Sequence, residues 1–337
     1  MASAVKRLKG GLVGFGQVAE HAHAPAFNGH PGFSIVAVAE ENLQRRQAAQ
    51  SALPGVRLYG SLEELIAAEK ELDFVDIATP PFLHAKQVLD CLDRGIHVLC
   101  EKPLTLDLAA LGEMEAAARR ADRAVYTVDN WKHSPLFLKL RGLLDAGALG
   151  PVESIELSTL RQTPAPTAVL GWRTDPAKSG GGILVDHGWH SLYLIRCLLG
   201  DKPFQAARRL TRLDASGAER ELTAELEFAG ARARLHLTWL AASRRNEGRI
   251  SGRGGEIVIA DDHLVLKADG KTERFEFPEK LSQGSAHPLW FKAMLEDFQA
   301  EIAGPARGRN LAQSRFCAET IFALYAQDAA AAQASSQ

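Results

Sequence analysis

Residues 8–19 read Leu-Lys-Gly-Gly-Leu-Val-Gly-Phe-Gly-Gln-Val-Ala, an apolar run followed by a glycine-rich turn. The run is typical of a buried strand, and the turn has the spacing G-x-G-x-x-A where a helix would begin. Gly14 permits the tight turn, Gly16 lets backbone N–H groups approach an anion, and Ala19 leaves room for close helix–strand packing. The stretch predicts the phosphate-binding turn of a dinucleotide-binding unit, with a purely structural glycine turn as the alternative.

An acidic residue follows the second predicted strand. Glu40 stands 24 residues after Gly16, where a carboxylate can accept hydrogen bonds from an adenosine ribose and repel a 2′-phosphate. This favours NAD as the cofactor, although Arg45 and Arg46 keep NADP possible. The residues expected to hold the dinucleotide here are Gly14, Phe15, Gly16, Gln17, Val18 and Glu40.

The first 128 residues alternate short β-like runs with helix-like stretches. Parallel strands are predicted over 8–13, 35–39, 74–78, 97–100 and 124–128. Ser61-Leu-Glu-Glu64 has the pattern of a capping box, and Arg94-Gly95 that of a helix end. We therefore expect residues 1–128 to form a doubly wound α/β unit, a Rossmann domain.

The pattern of apolar and polar residues changes beyond Pro151. Longer alternating runs over 153–160, 222–228 and 231–240 predict an open, mostly antiparallel sheet, and the apolar residues 183–199 predict a helix. We expect residues 129–337 to form an α+β domain for substrate binding and oligomerisation, with the option that its last helices pack back on the N-terminal domain.

Composition limits the partners. The 337 residues include 39 basic and 41 acidic side chains without a run of like charges, which argues against nucleic acid or membrane partners. The four cysteines are widely spaced, as in proteins of a reducing compartment, and no apolar run is long enough to cross a bilayer. We expect a cytoplasmic protein that binds a small molecule.

Four ordered motifs carry a family resemblance. They are Asp76-Ile-Ala-Thr-Pro-Pro-Phe-Leu-His84, Gly95-Ile-His-Val-Leu-Cys-Glu-Lys-Pro-Leu104, Asn130-Trp-Lys-His-Ser-Pro135 and Gly180-Gly-Gly-Ile-Leu-Val-Asp-His-Gly-Trp-His190. Over nearly the whole chain they resemble the Gfo/Idh/MocA family of nicotinamide-dependent sugar and polyol oxidoreductases. The resemblance implies hydride transfer between NAD(P) and a secondary alcohol or carbonyl of a sugar, polyol or related small molecule, in a homodimer or homotetramer.

The resemblance also assigns residues. Lys102 would lie beside the nicotinamide, with a cis bond before Pro103; without the motif it would be interpreted as an exposed lysine at a strand end. The residues that it adds to the expected cofactor site are Thr79, Pro80, His84, Glu101, Lys102, Asn130, Trp172 and Arg173.

Asp186 and His190 stand four apart in the predicted apolar helix and therefore project from one face. A satisfied structural pair is the alternative to a catalytic one. We expect His190 to take the proton in the oxidative direction, Lys102 to donate to the substrate oxygen with a pKa lowered by desolvation, and Asp186 to orient both; the assignments can be exchanged. Tyr193 stands where many relatives have a second acid, so the substrate-binding set is Lys102, Asp186, His190 and Tyr193.

Other readings are weaker or remain open. No metal is expected, because His187 points about 100° away from Asp186 on an ideal helix. His21 and His23 are interpreted as exposed histidines that decorate a helix. A redox glycosidase that uses NAD transiently and a non-catalytic dinucleotide or sugar sensor are the alternative functions.

Overall fold

The computed structural model describes residues 7–105, 107–163, 175–200, 202–213, 218–284 and 286–334. The chain divides into two compact units. The first contains the described residues of 1–130 and 285–315, and the second those of 131–166, 171–284 and 316–337. The predicted boundary after residue 128 stays a prediction.

The first unit is built on a six-stranded parallel sheet in the order β3-β2-β1-β4-β5-β6. This is the strand order of a Rossmann fold, so the predicted class of this half is confirmed. Its strands are β1 (Leu8–Val13), β2 (Phe33–Ala39), β3 (Arg57–Tyr59), β4 (Phe74–Ile77), β5 (His97–Cys100) and β6 (Val125–Thr127). Its α-helices are α1 (Ala24–Asn28), α2 (Leu43–Ala52), α3 (Leu62–Ala68), α4 (His84–Asp93), α5 (Leu108–Ala121) and α9 (Pro288–Ala303).

Local sequence explains several helix ends. Ser61 Oγ accepts the N–H of Glu64, as in the predicted capping box, while the Glu64 carboxylate reaches the N–H of Gly60. Gly95 has φ +68°, which suits the turn that ends α4. On one side of the sheet, α9 packs Phe298 against Phe33, with the two rings stacked 5.9 Å apart.

The second unit is built on an eight-stranded sheet in the order β14-β13-β12-β11-β7-β10-β9-β8. Only the β7–β10 pair is parallel, so the predicted mostly antiparallel sheet is confirmed. Its strands are β7 (Val152–Leu160), β8 (Phe204–Leu213), β9 (Glu219–Phe228), β10 (Ala231–Thr238), β11 (Arg245–Gly252), β12 (Gly255–Ile259), β13 (His263–Ala268) and β14 (Lys271–Glu276). Its α-helices are α6 (Pro135–Asp145), α7 (Pro176–Ser179) and α8 (Trp189–Leu199).

The two faces of this second sheet differ in chemistry. Ile155 and Leu157 of β7 alternate with polar residues and are buried beside Leu235 of β10. On the opposite face, Glu156 lies between Arg234 and Arg249 of the neighbouring strands, and all three are exposed. The last helix, α10, spans Arg309–Ala334, and none of the described helices has the length and apolar character that a bilayer crossing requires.

Two helical segments begin as π-turns, which the sequence analysis did not foresee. Residues Ala19–His23 form one before α1, and residues Leu184–Gly188 form the other before α8. In the first, the N–H of Ala24 bonds to the carbonyl of Ala19. Pro25 follows directly and has no N–H to donate to the preceding turn, which favours the wider turn.

Candidate active site

The glycine turn lies at the carboxyl end of β1, where open parallel sheets bind ligands. Gly14 has φ +83°, and a Cβ atom there would come within 3.0 Å of the Ala78 carbonyl oxygen. Gly16 has open space around its Cβ position. The turn thus requires glycine at the first position for its conformation and leaves the backbone uncovered at the second, as a bound pyrophosphate needs.

Glu40 follows β2 and is tied to this turn. Its Oε2 accepts the N–H of Phe15 at 2.7 Å, and its Oε1 accepts the N–H of Asn42 at 2.9 Å. Each carboxylate oxygen has a further lone pair that a ribose hydroxyl could use. The residues present therefore fit an adenine dinucleotide, and Glu40 also holds the glycine turn in place, a role that the sequence analysis missed.

A buried histidine connects two further strand ends. His23 is 0% exposed; its Nδ1 lies 2.7 Å from Asp76 Oδ2, and its Nε2 lies 3.0 Å from Glu101 Oε1. The expectation that His23 is an exposed decoration is wrong, whereas His21 is exposed. The useful indication was its spacing, because His23 stands four residues after the buried Ala19 and so shares its inward face.

The charges of this cluster follow from its contacts. Burial alone would lower the pKa of His23, but the carboxylates of Asp76 and Glu101 raise it to about 9. Burial opposes the ionisation of Glu101, yet the hydrogen bond and charge of His23, together with the charge of Lys102, hold its pKa below the ordinary value. Burial raises the pKa of Asp76, which the imidazolium opposes. At neutral pH His23 is an imidazolium bound to the Glu101 carboxylate.

The Glu101-Lys102-Pro103 turn begins where β5 ends. The N–H of Lys102 donates to Glu101 Oε2 at 3.0 Å, and the predicted cis bond before Pro103 is confirmed. The His84 ring is fully buried, with Nδ1 2.8 Å from the Pro103 carbonyl and Nε2 2.9 Å from the Thr79 carbonyl. Burial lowers the pKa of His84. His84 therefore joins the two turns, and its direct contact with a cofactor stays a prediction.

Four other members of the expected cofactor set follow strands of this unit or lie outside the described residues. Pro80 follows β4, and Asn130 is buried after β6. Trp172 and Arg173 lie outside the described residues. Their cofactor contacts stay predictions.

In the second unit, the triple glycine packs tightly against Glu219. A Cβ atom on Gly182 would come within 2.2 Å of the Glu219 carbonyl oxygen, so the position has no room for a side chain. The Glu219 carboxylate accepts the N–H groups of Gly182 and Leu184, both at 2.9 Å, and the hydroxyl of Tyr325 at 2.6 Å. A buried carboxylate thus stabilises the start of the helical segment that carries Asp186 and His190. No local pattern in the sequence indicates this role of Glu219.

His190 lies between two aromatic residues. Its ring stacks on Trp131 with centroids 4.7 Å apart, and its Nδ1 lies 2.9 Å from the Tyr193 hydroxyl. That hydroxyl also accepts the N–H of Trp131 at 3.1 Å. Tyr193 is fully buried, so the described contacts give it the role of orienting His190. The predicted substrate contact of Tyr193 stays a prediction.

Asp186 is surrounded by charge from the same unit. His187 Nε2 lies 3.5 Å from Asp186 Oδ2, so the expectation that His187 points away is wrong, because successive side chains diverge less in a π-turn than in an α-helix. Burial and the charge of Arg244 lower the pKa of Arg161 to about 9, while the Asp186 carboxylate raises it. Arg161 and Arg244 in turn favour the ionised form of Asp186.

Arg161 directly follows β7 and is 1% exposed. It continues the inward alternation of Ile155, Leu157 and Thr159, a pattern that could have identified it from the sequence.

Among the residues that the structure describes, no group of three or more His, Cys, Asp or Glu side chains is arranged to hold a metal ion.

Comparison with known proteins identifies the family. Residues 8–129 match the model of an oxidoreductase family with an NAD-binding Rossmann fold, and residues 137–258 match the Gfo/Idh/MocA C-terminal domain. The chain belongs to the Gfo/Idh/MocA oxidoreductase family. It is accordingly an oxidoreductase whose N-terminal unit binds a nicotinamide dinucleotide, as the sequence analysis predicted.

Three similar proteins illustrate the range of the family. The chain is 27% identical to a putative UDP-kanosamine synthase oxidoreductase subunit of Amycolatopsis mediterranei, over 95% of each chain. It is 32% identical to trans-1,2-dihydrobenzene-1,2-diol dehydrogenase of Danio rerio, over 67% of this chain and 66% of that protein. The structure of levoglucosan dehydrogenase in complex with NADH and levoglucosan has the same fold, with a TM-score of 0.83, 22% identity and coverage of 96% of this chain and 98% of the other.

Proposed function

We propose that the protein is an NAD-preferring dehydrogenase or reductase that acts on a secondary alcohol or carbonyl of a sugar, polyol or related small molecule. The observation that carries the proposal is the Glu101-Lys102 turn. It puts a lysine next to a buried, ionised carboxylate at the carboxyl edge of the parallel sheet, where ligands of open α/β sheets bind. A lysine ammonium there can donate to the oxygen of an alcohol or carbonyl.

Each unit contributes its own groups to this proposal. In the first, Gly14, Gly16 and Glu40 hold the dinucleotide, which when bound supplies the hydride acceptor or donor. Lys102 steadies the substrate oxygen. In the second, His190 exchanges the hydroxyl proton, and the ionised Asp186 accepts hydrogen bonds from donors of the substrate or of His190.

Substrate class and cofactor preference rest on different arguments. The names of the relatives refer to a nucleotide sugar, a cyclic diol and an anhydrosugar, which are all molecules with secondary hydroxyl groups. They support a polyhydroxylated substrate here. The preference for NAD is argued from the Glu40 carboxylate, because a second negative charge from a 2′-phosphate would be repelled by it. A homodimer or homotetramer stays a prediction that light scattering would check.

Two measurements test the proposal. Calorimetric titration with NADH and with NADPH is expected to give tighter binding of NADH. A screen of sugars and polyols, followed at the reduced-nicotinamide absorbance, is expected to find turnover that Lys102→Ala abolishes and Lys86→Ala preserves, since Lys86 is an exposed lysine on α4. Binding without turnover of any polyol or sugar would contradict the proposed activity. Product formation without net change in nicotinamide would favour the redox glycosidase instead.

A further inference from the structure

His23 is the centre of a buried polar cluster, and the proposed function gives this histidine no role. Its imidazole contacts Asp76 of β4 on one side and Glu101, directly after β5, on the other, at 2.7 and 3.0 Å. From these contacts we propose that His23 is a positioning residue, whose imidazolium fixes the direction of the Glu101 carboxylate against Lys102. The value of that arrangement for catalysis rests on the proposed function, but the arrangement itself can be measured without substrate.

The protonation of His23 follows from geometry. Both ring nitrogens face carboxylate oxygens, and only an imidazolium has two N–H groups to donate. The ring of Phe291, from α9, lies 4.1 Å away and covers the imidazole. The charged groups that act on His23 are therefore Asp76 from β4 and Glu101 from the end of β5, while α9 contributes an apolar surface. In this surrounding a neutral imidazole would leave one carboxylate without its donor.

The Glu101 carboxylate connects His23 to Lys102. Its Oε1 faces His23, and its Oε2 accepts the N–H of Lys102 at 3.0 Å. The ammonium of Lys102 lowers the pKa of Glu101, so by reciprocity the carboxylate favours the charged ammonium. Acidic and basic side chains alternate along the cluster, in the order Asp76, His23, Glu101 and Lys102.

Loss of the imidazolium would leave two carboxylates that repel each other, because the charge of Glu101 raises the pKa of Asp76. Glu101 is then expected to take up a proton or to turn away from Asp76. Either change weakens its attraction for the Lys102 ammonium. The alternative, in which His23 only fills space, leaves Glu101 and Lys102 as they are.

The test uses the full chain without substrate or dinucleotide. Glutamate is labelled with 13C at the side-chain carboxyl carbon, and the Glu101 resonance is assigned by its loss in Glu101→Gln. Its titration midpoint is compared between wild type, His23→Gln and the matched control His21→Gln, an exposed histidine two residues away. We expect His23→Gln to raise the Glu101 midpoint by about 1 pH unit, because the wild-type imidazolium is charged throughout the acid range in which a carboxyl titrates. His21→Gln should leave it unchanged.

The effect of Glu101 on Lys102 is measured on 13C-dimethyl-lysine, which keeps the positive charge, with the Lys102 resonance assigned by its loss in Lys102→Ala. Glu101→Gln should lower the Lys102 midpoint, because the carboxylate favours the charged ammonium. An unchanged or lowered Glu101 midpoint in folded His23→Gln would overturn the proposal, and so would an unchanged Lys102 midpoint in Glu101→Gln.

A second measurement applies if His23→Gln does not fold. The His23 resonance of [13Cε1]histidine-labelled wild type should titrate near pH 9. In Glu101→Gln, which keeps the side-chain shape, that midpoint should fall by about 1 pH unit or more. A wild-type midpoint at or below 6.5 would overturn the proposal. Since none of these measurements involves turnover, their outcomes are distinct from a failure of the substrate screen.

Discussion

The buried imidazolium of His23 makes the stability of the protein depend on pH above neutrality. Folding raises the pKa of His23 from 6.5 to about 9, and one pKa unit corresponds to about 1.4 kcal/mol. The contacts of protonated His23 with Asp76 and Glu101 therefore stabilise the folded state by about 3 kcal/mol. A group whose pKa is raised by folding contributes fully below its unfolded value, so this contribution is present below pH 6.5 and is lost as the pH rises through about 9.

At low pH, His23→Gln removes the stabilisation that the protonated imidazole gives the folded state. At high pH the wild-type protein has already lost this stabilisation, so the substitution has a smaller effect. We expect the free energy of unfolding of wild type to exceed that of His23→Gln by an amount that shrinks by about 3 kcal/mol between pH 6 and pH 9.5. Urea titrations followed by circular dichroism at both pH values measure it. His21→Gln, on the exposed neighbour, should follow wild type at both. A difference between wild type and His23→Gln that is the same at both pH values would refute the reasoning, since it would mean that folding does not raise the pKa of His23.

Three further substitutions have expected outcomes. Glu40→Gln should weaken NADH binding roughly tenfold in calorimetry and bring the NADH and NADPH affinities closer, because the amide carries no charge to repel a 2′-phosphate. Gly182→Ala should lower the free energy of unfolding by about 1–3 kcal/mol, because its methyl group would meet the Glu219 carbonyl oxygen at 2.2 Å. Tyr193→Phe should lower the free energy of unfolding, measured by urea titration, by about 1–3 kcal/mol. The buried N–H of Trp131 would lose the hydroxyl oxygen that accepts its hydrogen bond.

The substitutions at Glu40 and Gly182 have matched controls. Glu41→Gln changes an exposed carboxylate next to Glu40 and should leave both dinucleotide affinities as they are. Gly112→Ala, in α5 with open space around its Cβ position, should raise the free energy of unfolding by about 0.5–1 kcal/mol. An equal loss of stability in Gly112→Ala and Gly182→Ala, or an unchanged ratio of NADH to NADPH affinity in Glu40→Gln, would count against the packing and charge arguments.

The Rossmann half could be predicted closely from the sequence because its strands are short apolar runs bounded by turn residues. The bounds of β1 and β5 agree with the prediction, whereas β3 was missed, since Arg57–Tyr59 has too few residues to show a period. The position of Glu40 after the second predicted strand identified it as a candidate ribose-binding residue, but only the structure shows its two backbone N–H donors.

The residues that were missed act over long separations in the chain. His23 meets Asp76 and Glu101 across 53 and 78 positions, and Glu219 meets Gly182 across 37, distances at which local patterns carry no information. The π-turns were missed for a different reason. Helical periodicity assumes a constant rise and rotation, so a single wide turn leaves the apolar pattern nearly unchanged while it re-aims the polar side chains beside it.

In a regular helix, the direction of a polar side chain and the phase of the packed face are fixed together. The π-turns allow the two to differ. Each π-turn contains one residue more than an α-helical turn, and the helix that follows keeps its own phase against the core. A deletion of one residue within Ala19–His23 or Leu184–Gly188 would allow the segment to close as a regular α-helix, in which the chain on either side keeps its phase and only the side chains of the former π-turn change direction. The angular setting of His23 and of Asp186 is therefore encoded by local chain length, and it can change in a single step without any substitution in the packed helix face.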